Sequence, residues 1–164
     1  MIRKCQASDT QRIYFIINEV AKAYHGIIPA DCYHQPYMPM DELKKEMKRI
    51  TFFGWEAKGE LVGVMGIEPI KDVTLIRHAY VLPQWQRQGI ASKLLEHLKN
   101  LTTTSRLLVG TWAEVPWAIA FYRKHSFKLM PDKDKLLKTY WDIPQRQIET
   151  SVVLGMSVKS ETKE

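Results

Sequence analysis

Residues 86–92, Gln-Arg-Gln-Gly-Ile-Ala-Ser, stand where a strand pattern ending in Val81-Leu82-Pro83 gives way to a Leu-rich helical pattern. A helix N-terminus at such a junction presents backbone N–H groups and a partial positive charge, which suit a phosphate. Gly89 lets the backbone approach a ligand, and Ala91 is too small to obstruct it. Gln86 and Arg87 add side-chain donors. No Gly-Lys-Ser/Thr run follows, and the first two glycines of a dinucleotide fingerprint are absent, so neither nucleotide loop is expected. Strand-turn-helix junctions with one glycine also occur in α/β proteins that bind nothing there, so the loop alone leaves both readings open. The five histidines, His25, His34, His78, His97 and His125, show no HExxH or paired Cys/His spacing, so no metal site is expected.

The elements around this loop follow from periodicity. A short strand over Ile2–Cys5 precedes a helix opened by Ser8, with Gln11 at capping-box spacing, and Ile13, Ile16, Ile17 and Val20 on one face. Residues 25–39 hold three prolines and a glycine, which forbid a long regular element, and a loop of that length inside a domain is often functional. A second helix is expected over Asp41–Arg49, with Leu43 and Met47 inward. Strands follow over Thr51–Ala57 and Glu60–Ile67, joined by a hairpin turn at Lys58-Gly59, and over Val73–Leu82. Gly89–Leu101 reads as a helix, Arg106–Thr111 as a strand, and the helix begun by Pro116 ends near His125. A short strand at Phe127–Met130, a charged helical stretch at Asp132–Trp141 and a last strand at Thr150–Met156 complete the series. The order predicts an α/β fold, with a mixed central sheet of six or seven strands flanked by helices. Residues 1–157 are expected to form a single domain, with 158–164 a frayed tail.

Hydrophobic residues at 45% and charged residues at 26% match an ordinary globular domain and argue against disorder. No apolar run is long enough to span a bilayer, and the first residues lack a signal-peptide core, so a cytoplasmic protein without membrane partners is expected. Cys5 and Cys32 are too few for a disulfide framework. The net charge of +6 suits an anionic partner, but the basic residues are scattered, which fits a phosphate-bearing small molecule or a merely basic surface and gives little support to nucleic acid.

The Gln86-x-x-Gly89-x-Ala91 pattern, after Val81-x-Pro83 and before a Leu-rich helix, resembles the pyrophosphate-binding motif of the GNAT N-acetyltransferases. About thirty residues on, Ala118-x-x-Phe121-Tyr122-Arg123-Lys124-His125-Ser126-Phe127 resembles that family's helix with its Phe-Tyr pair. The two motifs come in the family's order and separation, and the element order fits nearly the whole chain. Val115 stands where the family often has an Asn that contacts the pantetheine arm. Ser126 replaces the usual helix-ending Gly, which predicts a blunter helix end.

The resemblance implies a GNAT fold and an N-acetyltransferase that uses acetyl-CoA as co-substrate, with a small-molecule amine or peptide as acceptor. It implies a cofactor set of Tyr80, Val81, Gln86, Arg87, Gln88, Gly89, Ile90, Ala91, Ser92, Phe121 and Lys124. The Val81 N–H would polarise the thioester carbonyl, and N–H groups from Arg87 to Ser92 would hold the pyrophosphate. Tyr122 matches the family's general acid for the leaving thiolate. His78, Glu68 and Glu114 are candidates for the base that deprotonates the amine, the imidazole having an ordinary pKa of about 6.5. Acceptor binding is expected from the 25–39 loop and the second helix, where Tyr24, Tyr33, His34 and Tyr37 would wall a pocket and Asp31 would attract a cationic amine. Family members often dimerise, so a homodimer is a further expectation. A non-catalytic acyl-CoA-binding domain and a basic nucleic-acid-binding protein are the rival readings.

Overall fold

The computed structural model describes residues 1–158. The expected tail therefore lies, but for its first residue, outside the described residues. In chain order the elements are β1 (Ile2–Lys4), α1 (Thr10–Ala21), α2 (Met40–Glu46), β2 (Thr51–Ala57), β3 (Glu60–Ile70), β4 (Val73–Val81) and α3 (Ile90–Leu101). They continue as β5 (Arg106–Trp112), α4 (Pro116–Lys124), β6 (Lys128–Leu129), α5 (Lys133–Tyr140), α6 (Gln145–Glu149) and β7 (Ser151–Ser157). The strand order is β1-β2-β3-β4-β5-β7-β6 in a seven-stranded sheet, in keeping with the mixed α/β class expected. Close contacts divide the chain into two compact units built from interleaved segments.

The first unit takes residues 1–23, 34–68 and 76–101. Its hairpin of β2 and β3 is antiparallel, from Thr51 opposite Ile67 to Ala57 opposite Glu60. Lys58 and Gly59 turn it with φ of 54° and 81°. Two successive left-handed residues match the strand twist, and glycine takes that conformation freely. Helix α1 buries Ile13, Ile16, Ile17 and Ala21, and α3 buries Ile90, Leu94, Leu95 and Leu98, each an i, i+3/i+4 stripe. The expected cap at Ser8 and Gln11 is not the one formed. Ala7–Asp9 makes a 3-10 turn, and the Gln6 N–H donates to the Asp9 carboxylate at 2.7 Å, so α1 starts two residues later. Arg3 bridges Asp9 and Glu56 and pins this turn to β2. Cys5 is buried, and burial pushes its thiol up to about 12.

The second unit takes residues 24–33, 69–75 and 102 onward. Strands β5 and β7 pair antiparallel along their whole length, from Arg106 opposite Ser157 to Trp112 opposite Ser151, and β6 pairs with β7. Leu136, Leu137 and Tyr140 of α5 and Ile148 of α6 pack on Val73, Leu75, Leu108 and Val153. Gly110 leaves room for the Trp141 ring, which lies 3.3 Å from where a Cβ would be. Helix α6 is absent from the sequence reading because five residues behind Pro144 offer no period to detect.

The blunt end expected for α4 is not what forms. Ser126 takes the left-handed conformation, φ 76°. The Phe127 N–H donates to Tyr122 O at 3.1 Å and the Ser126 N–H to Arg123 O at 3.1 Å, the paired bonds of a Schellman end. Phe127 beyond the turn is buried, and its apolar anchoring enforces a conformation that serine itself disfavours.

Candidate functional site

The loop between β4 and α3 is drawn tight from both ends. Leu82–Gln86 forms one 3-10 turn, in which Trp85 N–H donates to Leu82 O and Gln86 N–H to Pro83 O. The Gln86 side-chain amide donates to Val81 O at 2.8 Å. Gln86 was expected as a phosphate donor, but its amide N–H braces the loop on its parent strand. Arg87 and Gly89 then both adopt left-handed backbone, φ 64° and 81°. These turns direct the chain into α3, whose ladder opens with Lys93 N–H donating to Gly89 O at 3.0 Å, so the N–H groups of Ile90 and Ala91 precede it.

Residues Gln86, Arg87, Gln88 and Gly89 are exposed, Ala91 and Ser92 are half-buried, and Ile90 is buried in the unit's core. A Cβ at Gly89 would meet no atom within 4 Å, so space beside it is open. The first turn of α3 carries no acidic residue. An open, cationic helix start of this kind fits a pyrophosphate chemically. A separate concavity of about 720 Å³ in this unit, lined by Lys4, Cys5, Lys44, Met47, Lys48 and Phe52 among others, contains none of the expected site residues.

Upstream of the loop, β4 contains a left-handed residue, His78, with φ 55°. Such a residue interrupts strand alternation as a bulge does, and Arg77, His78, Ala79 and Tyr80 are half-buried in succession. The conformation costs on the order of 1–2 kcal/mol for a residue with a side chain, and neighbours must hold it. Those neighbours are evident. His78 Nε2 lies 2.5 Å from Glu46 Oε1, and its ring stacks on Phe52 at 6.1 Å. Arg77 reaches Glu46 at 3.5 Å and Glu68 at 2.8 Å, and Arg49 binds the other Glu68 oxygen at 3.1 Å.

Burial drives the His78 pKa below its ordinary value, against the pull of the Glu46 hydrogen bond. Burial also raises the Glu46 carboxyl, but the His78 hydrogen bond and the Arg77 charge outweigh it and hold that carboxyl at about 2. Of the three base candidates, Glu68 is held by two guanidinium groups, Glu114 is exposed, and His78 is the partly enclosed imidazole with a carboxylate behind it. Glu46 was missed by the sequence reading. Its signal was present, since it falls three residues after Leu43 on the inward face of α2, where an apolar residue is the norm.

In the second unit, Tyr122 on α4 is buried, its ring edge-on to Phe121 at 5.1 Å and to Phe127 at 5.4 Å. Burial, with a smaller contribution from Tyr24, pushes its phenol above the ordinary value of 10. Phe121 is half-buried and also touches His125 at 4.8 Å, whereas Lys124 is exposed. Val115 is fully buried ahead of α4 and offers no side-chain cap.

The acceptor candidates are engaged by different partners. Asp31 is taken by Arg146 in a two-pronged ion pair at 2.8 and 3.1 Å, which leaves it a poor lure for an amine. Tyr33 stacks on His25 at 5.0 Å within the second unit. In the first unit, His34 stacks on Tyr37 at 6.5 Å and places Nδ1 2.8 Å from Pro36 O. Among the described residues no group of three or more His, Cys, Asp and Glu is placed to hold a metal, and no helix is long and apolar enough to cross a membrane.

Residues 48–129 match the family model described as acetyltransferase (GNAT) domain. Solved structures share the fold at low identity. The PaiA N-acetyltransferase of Thermoplasma acidophilum, in complex with coenzyme A, aligns at TM-score 0.70 and 16% identity over 96% of this chain and 98% of its own. A GNAT-family acetyltransferase of Staphylococcus aureus Mu50 aligns at TM-score 0.75 and 16% identity over 97% and 99%. The ribosomal-protein-S18-alanine N-acetyltransferase of Escherichia coli aligns at TM-score 0.65 and 17% identity over 100% and 98%. No curated protein matches in sequence.

Proposed function

Because the chain belongs to the GNAT acetyltransferase family, we propose that it transfers the acetyl group of acetyl-CoA to a primary amine of a small molecule or peptide by direct attack. The observation that carries this reading is the open loop at Arg87 and Gly89, two left-handed residues that lead into a helix start free of acidic side chains. When bound, acetyl-CoA supplies the acetyl group already activated as a thioester. The rest falls to the chain. N–H groups from Arg87 to Ser92 hold the pyrophosphate, with Gln86 as brace, and the Val81 N–H donates to the carbonyl oxygen as negative charge develops there. His78 takes the proton that the amine loses, and Tyr122 gives a proton to the departing thiolate. Neutral imidazole and protonated phenol are the forms these roles need. The downward shift at His78 and the upward shift at Tyr122 both favour them.

Calorimetric titration with acetyl-CoA, then CoA, tests the cofactor half of this reading. Roughly one-to-one binding in the micromolar range is expected. Gly89→Glu should abolish it, because the new side chain is strained at positive φ and sets a carboxylate against the phosphates. A folded wild-type protein that binds neither ligand overturns the reading.

A further inference from the structure

We propose that Glu46 is a positioning residue for amine deprotonation: its carboxylate fixes the left-handed His78 with Nε2–H toward Glu46, leaving Nδ1 as the proton acceptor. The proposal rests on the acetyltransferase reading and adds to it a residue from α2 that neither family motif contains.

Three observations meet at this pair. The first is the 2.5 Å contact between His78 Nε2 and Glu46 Oε1. An ionised carboxylate is acceptor-only, so Nε2 must carry the hydrogen, and in the neutral imidazole the lone pair then lies on Nδ1. The second is the backbone at His78. A left-handed histidine inside a strand needs outside contacts to persist, and the Glu46 bond and the Phe52 ring supply them. The third is the set of charges around the pair. Arg77 from β4 pairs with both Glu46 and Glu68, Glu68 from β3 is shared with Arg49, and Glu42 from the preceding turn of α2 has its carboxyl raised by burial and by the Glu46 charge. Glu46 is therefore kept ionised behind the imidazole, while the more distant Glu68 spends its charge on two arginines.

The proton balance is simple. The amine nitrogen forms a bond to the acetyl carbon as the carbon–sulfur bond breaks. The proton leaving nitrogen goes to Nδ1 of His78, and the sulfur electron pair is protonated by the Tyr122 phenol. The imidazolium so formed keeps its Nε2–H bonded to Glu46, whose charge stabilises it. The pair acts as the carboxylate–imidazole half of a catalytic triad does, with an amine in place of a hydroxyl as proton source.

The sign of the pH effect follows. Glu46 favours the protonated imidazole, so its removal lowers the His78 pKa, and Arg77, left with one carboxylate fewer, lowers it further. In Glu46→Gln the acid limb of kcat/KM should therefore move to lower pH. The plateau should fall roughly tenfold or more, because a glutamine amide can donate to Nε2 and reverse the tautomer. KM for acetyl-CoA should change less than about twofold, since neither residue belongs to the cofactor loop. His78→Ala should lose the acid limb altogether.

Nitrogen-15 NMR of histidine-labelled wild-type protein gives a readout that needs neither activity nor a folded variant. The His78 signal should show the proton on Nε2 at high pH and titrate below the ordinary histidine range. A proton on Nδ1, or an unchanged acid limb in an active Glu46→Gln enzyme, overturns the proposal and leaves the acetyltransferase reading standing. Absence of acetyl transfer by wild type overturns that reading, whichever tautomer the NMR finds.

Discussion

The Tyr122 phenol is enclosed by Phe121 and Phe127, and burial keeps it protonated well past the ordinary tyrosine range. A phenol so placed keeps its proton at assay pH and can stabilise a leaving thiolate by donating a hydrogen bond to it. Tyr122→Phe preserves the ring packing and removes only the hydroxyl. Its kcat should fall by about 10²-fold with the melting temperature nearly unchanged, and full turnover by this variant would remove Tyr122 from the mechanism. At this scale the sequence showed residue types better than partners. Tyr122, His78 and Gly89 could be singled out by motif or position. That Gln86 turns back to Val81 is a matter of one rotamer, and that Asp31 is spent on Arg146 across 115 residues and that Glu46 has His78 as its partner depend on contacts distant in sequence.

The end of α4 joins Tyr122 to the sheet through one unfavourable residue. The Schellman bonds of Ser126 and Phe127 close on Arg123 and Tyr122, so the turn that ends the helix also fixes the tyrosine backbone. A side chain at φ 76° is strained, and glycine there is not. Ser126→Gly should stabilise the protein by about 1 kcal/mol, which raises the melting temperature by roughly 2–4 °C for a chain of this size. Thermal unfolding followed by circular dichroism would detect it, and a lower melting temperature would contradict the strain. Long elements were readable because their stripes are long. Helices α1 and α3 and the hairpin of β2 and β3 stand within a few residues of their expected bounds. What escaped was short or set by packing. Helix α6 has five residues, the cap of α1 moved to Gln6 and Asp9, and the helix end at Ser126 is imposed by the buried Phe127.

Across the whole chain, 24 basic residues outweigh 18 acidic ones. An excess of this size speeds the approach of a polyanion such as CoA more than it tightens the final complex. Stopped-flow binding of acetyl-CoA should therefore slow several-fold between about 0.05 and 0.5 M salt, with the dissociation rate much less affected, because the Debye length shrinks from well above 10 Å to a few ångströms. A steep salt dependence of DNA or RNA affinity, with no preference for CoA, would favour the nucleic-acid reading instead. The interleaving of the two units was not legible. Segments 24–33 and 69–75 join residues from 102 onward, and no shift in composition marks where the chain passes from one to the other. The burial of Cys5 has a practical bearing on the bench. Of the two free thiols only Cys32 is partly accessible, and a Cys5 thiol that ionises near pH 12 stays unreactive at ordinary assay pH. A disulfide reagent that reports CoA release by colour should meet a protein background of about one equivalent, and a second, slow equivalent would time the opening of β1 from its neighbours.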